Sequence, residues 1–75
     1  MSVREQIIRQ FGLPAESISD ETPLFSSGLL DSFNMIEVVA LIEERAGKKL
    51  RIADINLENL DTVRRIDALM AQVRQ

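Results

Sequence analysis

Between Asp31 and Gly47 the chain reads DSFNMIEVVALIEERAG, and its apolar residues return at the period of a helix. Met35, Val38, Val39, Ile42 and Ala46 gather on one side at about 100° per residue, which defines a core-facing stripe. Asp31 or Ser32 supplies the starting cap, and Gly47 supplies the stop. Two further stripes flank this one. Val3, Ile7, Ile8 and Phe11 share a face over a first helix from Val3 to about Gln10. Ser2-Val3-Arg4-Glu5 fits the S-x-x-E capping box at its start, and Gly12 and Pro14 close it. Val63, Ile66, Leu69, Met70 and Val73 stripe a last helix over about 62–73, for which Asp61 is the expected cap. Ala53 to Leu60 reads as a short helix or turn, with Ile52, Ile55, Leu57 and Leu60 available for burial. No stretch of useful length alternates at a period of two. The expectation is an all-α fold in a single domain, residues 1–75: a small bundle of three main helices plus one short helix, with a long loop between helices one and two.

That loop covers about Leu13 to Asp31. Structureless loops of this length are uncommon in compact domains. Ile18, Leu24, Phe25, Leu29 and Leu30 punctuate its polar sequence, so it is expected to be pinned across the core. A short helical turn is expected at Thr22-Pro23, with Thr as cap and Pro at the first helical position. The chain has 75 residues, and its only aromatic residues are phenylalanines, so the core must be thin and aliphatic.

The chain has no His and no Cys. No Ser–His pair, thiolate nucleophile or disulfide can form within it, and a Zn site would have only carboxylates. Catalysis is therefore not expected, nor is a metal, and the composition points to binding or carriage. Net charge is -3, and no basic residue lies between Arg9 and Arg45, a segment holding Glu16, Asp20, Glu21, Asp31, Glu37, Glu43 and Glu44. This acidity steers a basic partner toward the segment, or is simply a solvated surface; nucleic acid would be repelled. Lys48, Lys49 and Arg51 follow the end of helix two, where cations favour its dipole. The N-terminus lacks a charged region followed by an apolar one, and the run Val38–Ile42 is far too short to span a bilayer. A cytoplasmic protein is expected.

Ser32, Ile36, Ala40 and Glu43 form a second strip beside the core stripe of helix two. Two readings of its apolar residues stand side by side: a contact surface, or packing beneath the long loop. Ser32 itself has three possible roles. As a nucleophile it fails, because no base is at hand to activate its hydroxyl. As a helix cap it is ordinary. As a substrate for another enzyme it would present a hydroxyl at a helix N-terminus, where free N–H groups and the dipole favour a phosphate. Asp31 beside it would help orient the incoming group or hold a metal on the modifying enzyme.

GLLDSFNMIEVVALIEE resembles the attachment region of acyl and peptidyl carrier proteins, in which a D-S-L or similar triplet opens the second helix and its serine receives 4′-phosphopantetheine from coenzyme A. DETPLFSSG resembles the loop of that family and LDTVRRIDALM its last helix, so the resemblance covers nearly the whole chain. It implies covalent attachment at Ser32 with Asp31 as motif neighbour, and an arm thiol that carries acyl or aminoacyl groups as thioesters. It implies as partners a phosphopantetheinyl transferase, an acyl- or aminoacyl-loading ligase and downstream acyl-processing enzymes. These would dock on Phe33, Ile36, Glu37 and Ala40, with Glu43 and Glu44 adding steering, and the carrier would work as a monomer. Short termini suggest a free-standing carrier. Phe33 stands where Leu is commonest, and the D-S-F triplet is similar to that of D-alanyl carrier proteins of cell-envelope synthesis. Asn34 is neutral where an acid often sits, and Arg45, Lys48, Lys49 and Arg51 make the far end of helix two less acidic than in many fatty-acid carriers. The contrasting reading is a small acidic helical interaction module without a prosthetic group, for which Ser32→Ala would leave activity intact.

Overall fold

Each helix starts where a short polar side chain takes over a backbone N–H that has no intrahelical partner. In the computed structural model, which describes residues 2–74, α1 runs Val3–Phe11, α2 Ser32–Ala46, α3 Leu57–Leu60 and α4 Val63–Arg74. Two 3₁₀ turns, Ala15–Ser17 and Ile52–Asp54, lie between them, and there is no strand among the described residues. The all-α expectation holds. At α1, the Ser2 Oγ accepts the Glu5 N–H at 3.1 Å and donates to the Glu5 carboxylate. α1 stops at Gly12 and α2 at Gly47, with φ of 65° and 71°, a left-handed conformation that glycine adopts at little cost.

α4 is the hub, packing against α1, α2 and α3. It contributes Val63, Ile66, Leu69 and Met70 to the core, which Val3 and Ile7 of α1, Val38, Leu41 and Ile42 of α2, and Leu60 of α3 complete. The phenylalanines stay at its margin: Phe11 and Phe25 pack against it and Phe33 is exposed. The buried stripe of α2 is rotated from the expected one. Leu41 is buried with Val38 and Ile42, whereas Met35, Val39 and Ala46 are half-buried. α2 is apolar around much of its circumference, so its own period cannot say which side meets α4. Full burial of a residue such as Ile42 is worth about 1.5–3 kcal/mol.

The long loop is pinned at both halves. Arg4 reaches from α1 to donate to the carbonyls of Ala15 and Ile18, both at 2.6 Å, and Ile18 is buried. The Asp20 carbonyl accepts the Arg64 N–H from the first turn of α4 at 3.0 Å, and the Arg64 guanidinium pairs with Glu21 at 2.8 Å. Leu24 and Leu30 sink into the core. No helical turn forms at Thr22-Pro23. The Thr22 Oγ1 faces backward instead, accepting the Ser19 N–H at 2.8 Å and closing a Ser19–Thr22 turn, while the 3₁₀ turn forms earlier, just after Pro14.

Two expectations in the second half of the chain need correction. The segment from Ile52 to Leu60 breaks into two pieces, because Asn56 starts α3 afresh by accepting the Asn59 N–H at 3.0 Å. Ile52, ahead of the break, is 90% exposed, and Leu57 is also largely in solvent; Leu60 alone of the four is buried, with Ile55 half-buried. Asp61 does not cap α4. Thr62 does, its Oγ1 accepting the Arg65 N–H at 3.1 Å. The Asp61 side chain turns away toward the long loop, where Oδ1 accepts the N–H groups of Phe25 and Ser26 and Oδ2 accepts the Ser26 hydroxyl.

Candidate functional site

At the entrance to α2, capping and exposure fall to different residues. Asp31 sits in extended backbone as the cap. Its Oδ1 accepts the Asn34 N–H at 3.0 Å, and Asn34 Oδ1 accepts the Asp31 N–H in return at 2.9 Å, a reciprocal capping box. Asn34 thereby gains a role at the position where its neutrality was noted, and its side-chain amide also donates to Glu37 at 3.4 Å. The Met35 N–H returns to the Asp31 carbonyl at 3.0 Å, so the first intrahelical bond is made.

Ser32 is the first residue of α2 and is exposed. Among the described residues nothing hydrogen-bonds to its hydroxyl, since Asp31 does the capping. The N–H groups of Ser32 and Phe33 belong to the first turn, where no intrahelical acceptor exists, and they lie at the positive end of the helix dipole. The resulting spot has an open hydroxyl, two available N–H donors and a partial positive charge. It suits a phosphodiester bonded through that oxygen.

An apolar skin surrounds it. Phe33 is 77% and Ile36 67% exposed, so these side chains do not pack beneath the long loop; of the two readings of the strip, only a solvent-facing one survives. Ala40 is exposed further along, as are Glu37 and Glu44. Glu43 differs. Its side chain is 22% exposed, it accepts the Leu50 N–H at 2.8 Å and it lies 3.9 Å from the Lys49 ammonium. Open grooves adjoin Ser32. One of about 290 Å³ is lined by Met35, Ile36, Val39 and Ile55, and another of about 360 Å³ by Phe25, Leu30, Met35 and Leu57. The sequence places Met35 and Val39 on the core face and makes Ile55 and Leu57 available for burial; a half-buried rim beside Ser32 has the same period as a core stripe. Asp31 is a cap candidate in the sequence, but its reciprocal bond with Asn34 and the tie from Asp61 to Ser26 come only from the structure.

Residues 2–69 match the family model described as the phosphopantetheine attachment site. Over 61 residues the chain is 31% identical to an acyl carrier protein of Saccharopolyspora erythraea, a stretch that covers 81% of this chain and 62% of that protein. The chain thus spans less than two thirds of the relative's length. The family match takes in α1, the pinned loop, the Asp31–Ser32 entrance to α2 and the beginning of α4, and on that extent the chain belongs to the phosphopantetheine-attachment family of carrier proteins.

Proposed function

We propose that the Ser32 hydroxyl is the attachment point of the 4′-phosphopantetheine arm, and that the domain carries acyl or aminoacyl groups between partner enzymes. The observation behind this is the division of labour at the entrance to α2: Asp31 caps, and the neighbouring hydroxyl is exposed and unengaged within a family match that includes it. Attachment forms a bond from Ser32 Oγ to the phosphorus next to the pantetheine in coenzyme A. The pyrophosphate bond breaks and the adenosine bisphosphate leaves. The hydroxyl proton passes to a base of the transferase, because this chain has no His to receive it.

The arm, when bound, supplies the thiol that the sequence lacks. The chain's own residues hold and present it. The Asp31–Asn34 box keeps the first turn of α2 closed, and the Ser32 and Phe33 N–H groups would be available to a phosphodiester bonded at Ser32. Phe33, Ile36 and Ala40 offer partners an apolar contact, and Glu37 and Glu44 offer steering, which raises on-rate more than affinity. Weak docking suits a carrier that must leave each enzyme. Glu43 contributes less, being engaged with Leu50 and Lys49. With neither His nor Cys the domain catalyses nothing by itself. The partners are a phosphopantetheinyl transferase, a loading ligase and acyl-processing enzymes, and the loading enzyme selects the cargo. The D-S-F triplet and the basic end of α2 favour an aminoacyl ligase of the D-alanyl type over fatty-acid-synthase partners. The place of work is the cytoplasm, where coenzyme A is at hand and thiols stay reduced; among the described residues no helix is long and apolar enough to cross a membrane.

Incubating the protein with coenzyme A and a phosphopantetheinyl transferase, then weighing it intact, tests the proposal. One arm should be added to the wild type and none to Ser32→Ala, with the helical content of both alike. An unmodified wild type, or a modified Ser32→Ala, overturns it; the first result would leave the bare interaction module.

A further inference from the structure

Three successive residues of the long loop, Leu24, Phe25 and Ser26, all hydrogen-bond to one residue more than thirty positions away. The Leu24 N–H meets the Asp61 carbonyl at 2.7 Å. The Phe25 and Ser26 N–H groups meet Asp61 Oδ1 at 2.8 and 3.0 Å, and the Ser26 hydroxyl meets Oδ2 at 2.7 Å. Asp61 is itself buried at the end of α3, next to the Thr62 that starts α4. It is therefore fixed to the rigid side of the bundle. From Ser26 the chain returns quickly to α2. The Gly28 N–H bonds to Phe25 at 3.1 Å, the Ser27 hydroxyl to the Pro23 carbonyl at 2.6 Å, and the Leu30 N–H to the Leu24 carbonyl at 2.8 Å. Leu30 is buried, and Asp31 and Ser32 follow directly.

We infer that Asp61 is a positioning residue for the modification of Ser32: it clamps the Leu24–Leu30 turn to the end of α3 and so fixes the approach to the first turn of α2 in the form that a transferase meets. This rests on the carrier reading given above. Among the described residues no other polar group ties the loop's second half so firmly to the bundle, since the remaining bonds of residues 23–30 stay within that segment. The carboxylate form is the one the site favours. Burial opposes the charge, but the bonds from Ser26 and Phe25, with the Arg65 guanidinium nearby, outweigh it and hold Asp61 below its ordinary range. A pocket that prefers the charged acceptor is a better clamp than one that tolerates a neutral group.

The test is steady-state modification of the full chain by a phosphopantetheinyl transferase, varying carrier at saturating coenzyme A and then coenzyme A at fixed carrier. Asp61→Ala should lower kcat/KM for the carrier by about 10- to 100-fold, the scale of a small misplacement of a reacting group, and leave the KM for coenzyme A unchanged. Ser26→Ala, which removes only the bond to Oδ2, should give a smaller loss. Asp61→Asn, which keeps one oxygen for the two N–H groups, should recover most of the activity. Ile66→Val, a core change in α4, serves as control: it should lower the melting temperature and leave both constants alone. Amide exchange should quicken at Phe25, Ser26 and Leu30 in Asp61→Ala while α4 stays protected. Wild-type constants in folded Asp61→Ala overturn the inference. Should that variant not fold, wild-type constants in Ser26→Ala, together with unchanged amide exchange at Phe25 and Leu30, do the same. A wild type that accepts no arm is a different result, which removes the carrier reading itself.

Discussion

The two ends of α2 treat their polar side chains in opposite ways. At the N-terminal end, Asp31 and Asn34 satisfy each other's backbone groups within four residues, so the cap itself takes no partner from outside the entrance to α2. Ser32, Phe33 and Ile36 are left facing solvent. At the C-terminal end the polar groups reach outward to hold other segments. Glu43 takes the Leu50 N–H and lies near Lys49, Arg45 donates to Gln6 of α1 at 2.7 Å, and the Arg45 carbonyl accepts from Arg74 of α4 at 3.1 Å. One end is a free surface with its own lock; the other is a joint between α1, α4 and the following loop. On the proposed carrier reading, α2 offers one residue to several enzymes, which requires that this residue carry none of the fold. The core below α2 and the joint at its far end bear that burden.

The sharpest way to break this contrast is to exchange burial for exposure along the same helix. Ile42→Ala, at a fully buried position of the core stripe, should cost about 2–5 kcal/mol. That is a large share of the total for a domain whose stability is of order 0.1 kcal/mol per residue. Phe33→Ala removes a larger side chain from the exposed end and should stay within about 0.5 kcal/mol. Chemical denaturation of the two variants decides it. A comparable loss at Phe33 would mean that the N-terminal end is part of the fold after all.

Acid should reach the two ends unequally, because Asp61 props the approach to the N-terminal end from outside α2. Its carboxyl is held below the ordinary aspartate value of about 3.9. A lowered folded value means that the folded state binds the proton less readily than the unfolded chain. The stabilisation is therefore complete above the ordinary value and drains away as pH falls through the folded one. Denaturant midpoints followed from neutral pH into that acid range should fall more steeply for the wild type than for Asp61→Asn. Parallel curves would remove Asp61 from the account of acid stability.

Asp61 also marks where sequence reasoning stopped. The starts of α1 and α2, the glycine stops and the stripe of α4 were readable because each depends on residues within one or two turns of one another: Ser2 with Glu5, Asp31 with its neighbours, Val63 with Ile66 and Met70. Ser32 was readable for the same reason, as one residue in a local motif. Asp61 stands directly before the α4 stripe and looked like its cap, yet Thr62 one position on fills that role as well, which frees Asp61 for a partner 35 residues away. No local pattern distinguishes the two. Leu41 failed to stand out for a related reason. With Ile36, Val38, Val39, Ala40, Leu41 and Ile42 crowded into α2, several stripes are consistent with the period, and the packing of α4 chooses among them.

Caps give the next effect in size. Asp31→Ala deletes one half of the reciprocal box and should cost about 0.5–2 kcal/mol. Glu43→Ala at the other end leaves the half-buried Leu50 N–H without its acceptor and should cost about 1 kcal/mol. Similar losses would arise by different routes. Asp31→Ala should also loosen amide exchange in the first turn of α2, around Asn34, whereas Glu43→Ala should loosen Leu50. Exchange that quickens at Leu50 in both variants would show that α2 responds as a single unit and that its two ends are not independent.

The smallest thermodynamic effect carries the clearest functional one. Glu37 is exposed beside Ile36 on the free end, and a single long bond from the Asn34 amide touches its carboxylate. Glu37→Lys should therefore move stability by no more than about 0.5 kcal/mol. It reverses charge on a strip whose other exposed acid is Glu44, so encounter with a basic partner surface should slow. Because long-range attraction between exposed charges is screened within about 10 Å at 0.1 M salt, the deficit should be greatest in dilute buffer and shrink as salt is added. Stopped-flow rates of arm transfer at several ionic strengths measure this directly. Glu43→Gln makes the paired comparison at the joint, where it should alter stability while leaving the salt dependence of transfer close to that of the wild type. If the two substitutions gave the same salt profile, the outer face of α2 would act as one acidic surface, and the division between a free end and a structural end would apply to folding alone.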